Sequence, residues 1–227
     1  KGEEADAAVF GLKPGSIKIN VPDMVRHTDT DGSVYYTKVN ADGQEIRYDA
    51  SNTYSVSADD YQVLGHNSPD WTMGFQNTLT YKDFDLSIYM YMRWGQMIKY
   101  SVLTDYDPTG LNNYPTYFNV WSETNPSNDF PAMDASIKDK LSYYPGFAAL
   151  SYVDGSFFKI KNITLGYTMP DKLAKKLGLG KLRVYGTITN PFVIAKSHLL
   201  KDYDPEMNGS LKYPLTKQFV FGVNVTF

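Results

Sequence analysis

The sequence predicts an all-β chain, an antiparallel transmembrane β-barrel segment with long extracellular loops, on three observations. Several runs of about ten residues alternate apolar and polar side chains, which lines the two faces of a strand differently. The connections between those runs alternate short and long, as they do on the two sides of an outer-membrane barrel. Aromatic residues make up 15% of the 227-residue chain, with 19 Tyr and 12 Phe, and these residues favour a pleated, half-buried surface.

Residues 1–70 are rich in turn signals, among them Pro14-Gly15, Asp31-Gly32, Asp42-Gly43 and Ala58-Asp59-Asp60. They read as an extracellular loop region leading into the barrel, with short strands at Ser16 to Asn20 and Ser33 to Val39. Residues 71–227 then carry the barrel strands. In the first, near 71–81, Trp71, Met73, Phe75, Leu79 and Tyr81 alternate with Thr72, Gly74, Gln76, Thr78 and Thr80, and only Asn77 interrupts the apolar face. Past Lys82-Asp83 a second strand, near 84–99, sets Phe84, Leu86, Ile88, Met90, Met92 and Trp94 against Asp85, Ser87, Tyr89, Tyr91 and Arg93. A third, near 157–169, alternates Ile163, Leu165, Tyr167 and Met169 with Asn162, Thr164, Gly166 and Thr168. The fourth, near 182–192, sets Leu182, Val184, Gly186 and Ile188 against Arg183, Tyr185, Thr187 and Thr189. In the fifth, near 217–227, Phe219, Phe221, Val223, Val225 and Phe227 alternate with small and polar residues. Each run is near the 9 to 11 residues or so that a tilted strand needs to cross a bilayer.

Lys82-Asp83 is a minimal turn, 101–156 is very long, 169–181 is moderate and 191–216 is long. With the terminus on the periplasmic side, the last strand descends. The connections at 101–156 and 191–216 then face outside, and the other two face the periplasm. Met169-Pro170-Asp171 to Gly178 reads as one or two helical turns, with Pro at the start and Gly at the stop. Lipid-facing positions are Leu86, Ile88, Ile163, Leu165, Val223 and Val225, and lumen-facing ones are Tyr89, Arg93, Asn162, Thr164 and Asn224. About five strands cannot close a barrel, and an open edge in hydrocarbon leaves backbone groups unpaired, so upstream strands are expected. The acidic start, Lys1-Gly2-Glu3-Glu4, has no apolar centre, which places any export signal upstream as well.

The formal net charge of -3 and the lack of a Lys/Arg stripe exclude wrapping of nucleic acid. With no Cys, disulfides, thiolate metal sites and Cys nucleophiles are excluded together. His27, His66 and His198 stand far apart in loop-like segments, without metal-ligand spacing, and no catalytic motif accompanies them. Hence no enzyme and no cofactor are expected. Asp29-Thr-Asp31-Gly32 and Asn40-Ala-Asp42-Gly43 offer oxygen ligands that would suit Ca²⁺, but the bidentate Glu of an EF-hand is missing, and hairpin turns explain the same residues.

Four segments, in order, carry a family resemblance. The first is Lys13-Pro-Gly-Ser-Ile-Lys18, before an Asp/Gly-rich stretch. The second is Gln62-Val-Leu-Gly-His-Asn-Ser-Pro-Asp-Trp-Thr-Met-Gly-Phe75, running on to Leu79-Thr-Tyr-Lys-Asp-Phe-Asp-Leu-Ser87. Asp154-Gly-Ser-Phe-Phe-Lys-Ile-Lys-Asn-Ile-Thr-Leu-Gly-Tyr-Thr-Met-Pro170 is the third. The fourth leads from Leu182-Arg-Val-Tyr185 through Asn190-Pro-Phe192 and Tyr203-Asp-Pro-Glu206 to the terminal strand. From about Phe10 to Phe227 the chain resembles the carboxy-terminal part of SusC/RagA-like TonB-dependent outer-membrane transporters. The resemblance implies a barrel of about 22 strands with a plug in its lumen. It also implies uptake of an oligosaccharide or peptide, powered through TonB by an upstream plug region and assisted by a SusD-like surface lipoprotein. One departure is that the acidic Asp-Gly repeat before Gln62 is spread thinly over Asp29 to Asp60.

For such a function the aromatic residues matter most, because a sugar ring stacks its C–H face on Tyr or Trp while its hydroxyls pair with polar neighbours. Two groups fit: Tyr89, Tyr91 and Arg93 on the polar face of the second strand, and Tyr114, Tyr117, Phe118, Trp121, Tyr143, Tyr144 and Phe147 in the 101–156 loop. The expected substrate-binding residues are Trp121, Tyr117, Tyr89 and Arg93. Terminal Phe227 is expected to serve as an assembly signal, read by the machinery that folds outer-membrane barrels. A soluble glycan-binding β-sandwich is the alternative, and it would bury the apolar faces against a second sheet.

Overall fold

A computed structural model describes residues 3–100, 116, 118–132 and 147–227. Their contacts form two units, one of residues 1–64 and 102–151, the other of residues 65–101 and 152–227.

In the first unit the Ala-rich start folds as a short helix, α1 (Glu4–Val9), which the turn-rich sequence did not suggest. Val9 is fully buried, and Phe10 meets the rings of Tyr36 and Tyr54 at 5.9 and 6.2 Å. The helix packs on β2 of a three-stranded antiparallel sheet, β1 (Val25–Thr28), β2 (Val34–Val39) and β3 (Glu45–Tyr48). The strand expected at 33–39 is therefore present, whereas 16–20 is irregular: Pro14-Gly15 closes a turn, Ser16 N–H donating to Lys13 at 3.0 Å. Asp29–Ser33 and Asn40–Gln44 are the hairpin turns, each with glycine in the left-handed region, Gly32 at φ 85° and Gly43 at φ 79°. His27 lies in β1 rather than in a loop, stacked on Tyr35 at 4.8 Å.

In the second unit β4 (Trp71–Tyr81), β5 (Phe84–Trp94), β8 (Phe157–Thr168), β9 (Lys181–Ala195) and β10 (Gln218–Thr226) form one five-stranded antiparallel sheet. Each pairs with the next in sequence, so the meander expected from periodicity is present. Tyr81 pairs with Phe84 across the two-residue turn, where Lys82 takes φ 53°. Between β8 and β9, α2 (Asp171–Lys176) begins after Pro170. It ends in a Schellman motif, with Gly178 at φ 72°, Gly178 N–H donating to Lys175 and Leu179 N–H to Ala174.

Two expectations are corrected by glycine and proline. The strand expected over 84–99 breaks at Gly95 (φ 84°), where a Cβ would stand 1.8 Å from the Asp70 carboxylate. Beyond it β6 (Met97–Lys99) leaves the large sheet and pairs with β7 (Tyr152–Asp154). In the other direction, β9 does not end at Pro191 but runs on to Ala195. Asn190 (φ 53°) and Pro191 sit opposite Lys161 in a bulge, where a missing N–H costs no ladder bond.

The buried residues locate the core. Ile98, Tyr100, Val153, Phe157, Leu200 and Tyr203 cluster at the β6/β7 end of the sheet, with Tyr100 and Tyr203 rings 4.6 Å apart. Among the described residues, the five long strands beyond Phe157 bury no large hydrophobic side chain. Their apolar face is open instead: Phe75, Leu79, Phe84, Leu165, Val184, Phe219, Phe221 and Val223 are all exposed, Phe221 at 84%. Among those residues no helix is long and apolar enough to cross a membrane.

Candidate functional site

A strand's period of two assigns each paired side chain of the large sheet to one face. Leu86, Leu165 and Ile88, Ile163, Ile188 stand in rows on the apolar face, and Val223 pairs with Val184 there. On the opposite face one row reads Gln76, Tyr89, Asn162, Thr189, Gln218, and the next holds Ser87, Thr164 and Thr187. Thr164 and Thr187 hydroxyls bond at 2.9 Å. Tyr89, Arg93, Asn162, Thr164 and Asn224 therefore share the polar face.

Glycines on this face make room for larger neighbours. Arg183 reaches over Gly166 to Asp85, donating from Nε at 3.1 Å and from an Nη at 2.6 Å. A Cβ on Gly166 would lie 2.4 Å from that guanidinium. Tyr185 lies over Gly222 in the same way, and Tyr89 lies over Gly74, where a Cβ would meet its hydroxyl at 3.1 Å.

Toward the β6/β7 end the polar face becomes charged. In β8, Lys161 is the extra residue of the bulge, unpaired with either neighbouring strand. The bulge shifts the alternation by one, so that Phe158 and Ile160 join the apolar face while Phe157 and Lys159 turn to the polar one. Lys159 is 1% exposed, and its ammonium donates to Asp204 at 2.5 Å and Glu206 at 2.9 Å. Lys161 meets Glu206 at 2.5 Å. Burial pushes the Glu206 carboxyl up, but the two ammonium groups outweigh it and hold its pKa below the ordinary value. Tyr203-Asp-Pro-Glu206 is thus the anchor by which the connection after β9 is pinned onto the sheet. Its role follows only from the bulge, which strict alternation in the sequence conceals.

Arg93 is partly buried, and its Nε donates to the Tyr91 hydroxyl at 2.7 Å. Lys161 stands 4.6 Å from the Tyr91 ring centre, and buried Phe157 packs 6.0 Å away. Tyr89 and Arg93 are brought to one face with Tyr91, Lys161 and Tyr185, of which Lys161 and Tyr185 had no place in the expected site. Trp121 belongs to the other unit. Its indole covers Gly15 (φ 87°), where a Cβ would stand 2.6 Å from the ring, and the Trp121 backbone N–H donates to the Phe130 carbonyl at 3.0 Å. Phe118 and Phe130 stack on each other at 4.2 Å, both buried. Lys13-Pro-Gly-Ser16 is thereby the seat of Trp121, which packs its own loop with part of its surface. Tyr117, Tyr114, Tyr143 and Tyr144 lie outside the described residues. Phe227 follows β10 and is 93% exposed.

In the Asp/Gly-rich turns the side-chain oxygens are engaged locally. Asp31 accepts from Ser33 N–H and hydroxyl at 2.9 and 2.7 Å, Asp29 pairs with Arg47 at 2.7 Å, and Asn40 accepts from Gln44 N–H at 2.8 Å. Among the described residues no group of three or more His, Cys, Asp or Glu could hold a metal ion.

No family model matches the chain. Individual proteins do. TonB-dependent receptor P3 of Formosa agariphila is 28% identical over 197 residues, 82% of this chain and 19% of that protein. TonB-dependent receptor SusC of Bacteroides thetaiotaomicron is 25% identical over 205 residues, 86% of this chain and again 19% of the relative. Among solved structures, that of the RagAB peptide transporter superimposes with a TM-score of 0.60 at 25% identity, covering 90% of this chain and 22% of the other. The chain spans about a fifth of the length of the curated relatives it matches. With its five-stranded meander and uncovered apolar face, the chain is thus similar, over most of its own length, to a segment of the SusC/RagA-like TonB-dependent receptors.

Proposed function

We propose that this chain supplies barrel wall and external loops to an outer-membrane importer that takes up oligosaccharides or peptides with energy delivered through TonB. The observation that carries the reading is the large sheet with two unlike faces. One face shows aliphatic and aromatic side chains without cover, as lipid contact requires, and the other shows Tyr, Thr, Asn, Gln and Arg, as a polar path requires. A soluble glycan-binding sandwich would have covered the apolar face with a second sheet. The lengths of β4, β5 and β8, 11, 11 and 12 residues, suit a tilted crossing of about 30 Å of hydrocarbon.

In this reading residues 1–70, 101–156 and 191–216 lie outside the cell, where a SusD-like lipoprotein covers the mouth of the barrel. The TonB-contacting plug belongs to the rest of the protein. The relatives are receptors and transporters, which supports import rather than catalysis. Trp121, Tyr117, Tyr89 and Arg93 are the proposed substrate contacts, Tyr89 and Arg93 from the sheet and the other two from the long loop. Deleting the full-length gene, or TonB, should abolish uptake of a labelled oligosaccharide or peptide pool by intact cells. Tyr89→Ala and Trp121→Ala, inserted to normal levels, should each lower uptake several-fold. Uptake unchanged by the deletion would overturn the importer reading, and uptake unchanged by both substitutions would remove these residues from the path.

A further inference from the structure

Three cations of the polar face, Lys159, Lys161 and Arg183, are held by carboxylates. Arg93 is not. Its Nε is occupied by the Tyr91 hydroxyl, and its two terminal nitrogens have no partner among the described residues. The side chain is nonetheless fixed, because Tyr91 is itself packed against buried Phe157 and under Lys161. Around Tyr91, Asp204 and Glu206 compensate Lys159 and Lys161, so among the described residues the Arg93 charge stands without a counter-ion.

A guanidinium tied at Nε still presents the edge formed by its two terminal nitrogens. That edge matches the two oxygens of a carboxylate, and a fork already held in place loses less freedom on binding than a free one. Tyr89 lies two residues before Tyr91 on the same face, close enough to stack on the remainder of a ligand whose acid group is bound by Arg93. We infer that Arg93, positioned by Tyr91, is a receptor for a carboxylate-bearing substrate. The inference rests on the importer reading, which makes the polar face the lining of the transport path. The acid group has two sources, an acidic peptide or a uronic-acid oligosaccharide, and both offer the same two oxygens.

The test uses the full-length transporter purified from outer membranes, as parent, Arg93→Gln and Arg93→Lys. Four probes are titrated calorimetrically: a hexapeptide with Asp side chains, its Asn counterpart, a hexagalacturonide, and its methyl ester. The parent should bind one acid probe about tenfold or more tighter than that probe's neutral counterpart, which also identifies the source. Arg93→Gln should erase that preference by dropping the acid probe's affinity to that of its neutral counterpart, and Arg93→Lys should keep part of it. A thermal unfolding midpoint of Arg93→Gln equal to the parent's separates loss of the receptor from misfolding. If Arg93→Gln keeps the preference, or the parent shows none for either acid, the inference falls. If the preference depends on Arg93 but deleting the gene leaves uptake intact, the carboxylate site stands and the importer reading fails.

Discussion

Lys159 and Asp60 show how single charged residues are kept inside this chain. A buried ammonium is tolerated only when fully paired, because desolvation otherwise exceeds what attraction returns, and Lys159 meets both Asp204 and Glu206. In the first unit Asp60 plays the mirror role. Burial pushes its carboxyl up, but Lys38, the Ser57 N–H at 2.8 Å and the Tyr54 hydroxyl outweigh it and hold the pKa at about 2. The phenol of Tyr36, half-buried and donating to Asp6 at 2.7 Å, is pushed up to about 12. A carboxyl whose folded pKa lies below its ordinary 3.8 binds more protons unfolded than folded near that value. The stability Asp60 contributes is thus present above about pH 4 and is lost as pH falls toward about 2, on the order of 2 kcal/mol in all. Hydrogen exchange over residues 34–60, corrected for intrinsic rates, should show that decline in the parent. Asp60→Asn should start less protected at neutral pH and show a flatter profile. Equal protection of parent and variant at neutral pH would remove Asp60 from this role.

At the scale of the element, each long strand is a two-sided object whose faces serve different solvents. Leu165, the ninth of the twelve residues of β8, is 53% exposed, flanked by Leu86 and Gly186. On the lipid reading, Leu165→Arg should cost up to about 2 to 4 kcal/mol, the range for a charge at the bilayer midplane, whereas Thr164→Arg, one residue away on the other face, should cost far less. Unfolding and refolding of the full-length protein in bilayers would measure both. A cheap Leu165→Arg would contradict the assignment of faces. The bulge at Lys161 belongs to this scale as well. Continued alternation toward the start of β8 would put Lys159 and Lys161 on the apolar face, and one extra residue turns both to the side where Glu206 waits.

For the whole molecule, the edges are decisive. Among the described residues β4 and β10 each pair on one side only, so the sheet presents two unpaired backbone edges. Neither is compatible with hydrocarbon unless other strands close the ring. Phe227 stands at the end of the β10 edge, where strand addition by an assembly machine would use main-chain bonds and alternate side chains. Phe227→Ala in the full-length transporter should lower the amount inserted in cells while barely changing the heat stability of inserted molecules. Normal insertion with a large loss of heat stability would instead make Phe227 a simple interfacial anchor.

The long strands were legible because period-two alternation is local. Trp71 to Tyr81 and Phe157 to Thr168 could be bounded nearly to the residue by their own side chains, and the start of β5 at Phe84 by Lys82-Asp83, whereas its end at Trp94 could not. α2 was equally legible from Pro170 and Gly178, since capping is settled within one turn. Strand order followed from connection length. Alternation could not disclose where it would be broken on purpose. That β9 passes through Pro191, that β6 leaves the sheet at Gly95, and that α1 covers β2 depend on partners distant in sequence. The site divides along the same line. Tyr89 and Arg93 were placed on one face by counting in twos. The occupied Nε of Arg93, the Lys161 ammonium over Tyr91, and the Tyr203-Asp-Pro-Glu206 anchor 45 and 47 residues from Lys159 required the fold. A face is a property of one strand, whereas a charge balance is a property of everything folded against it.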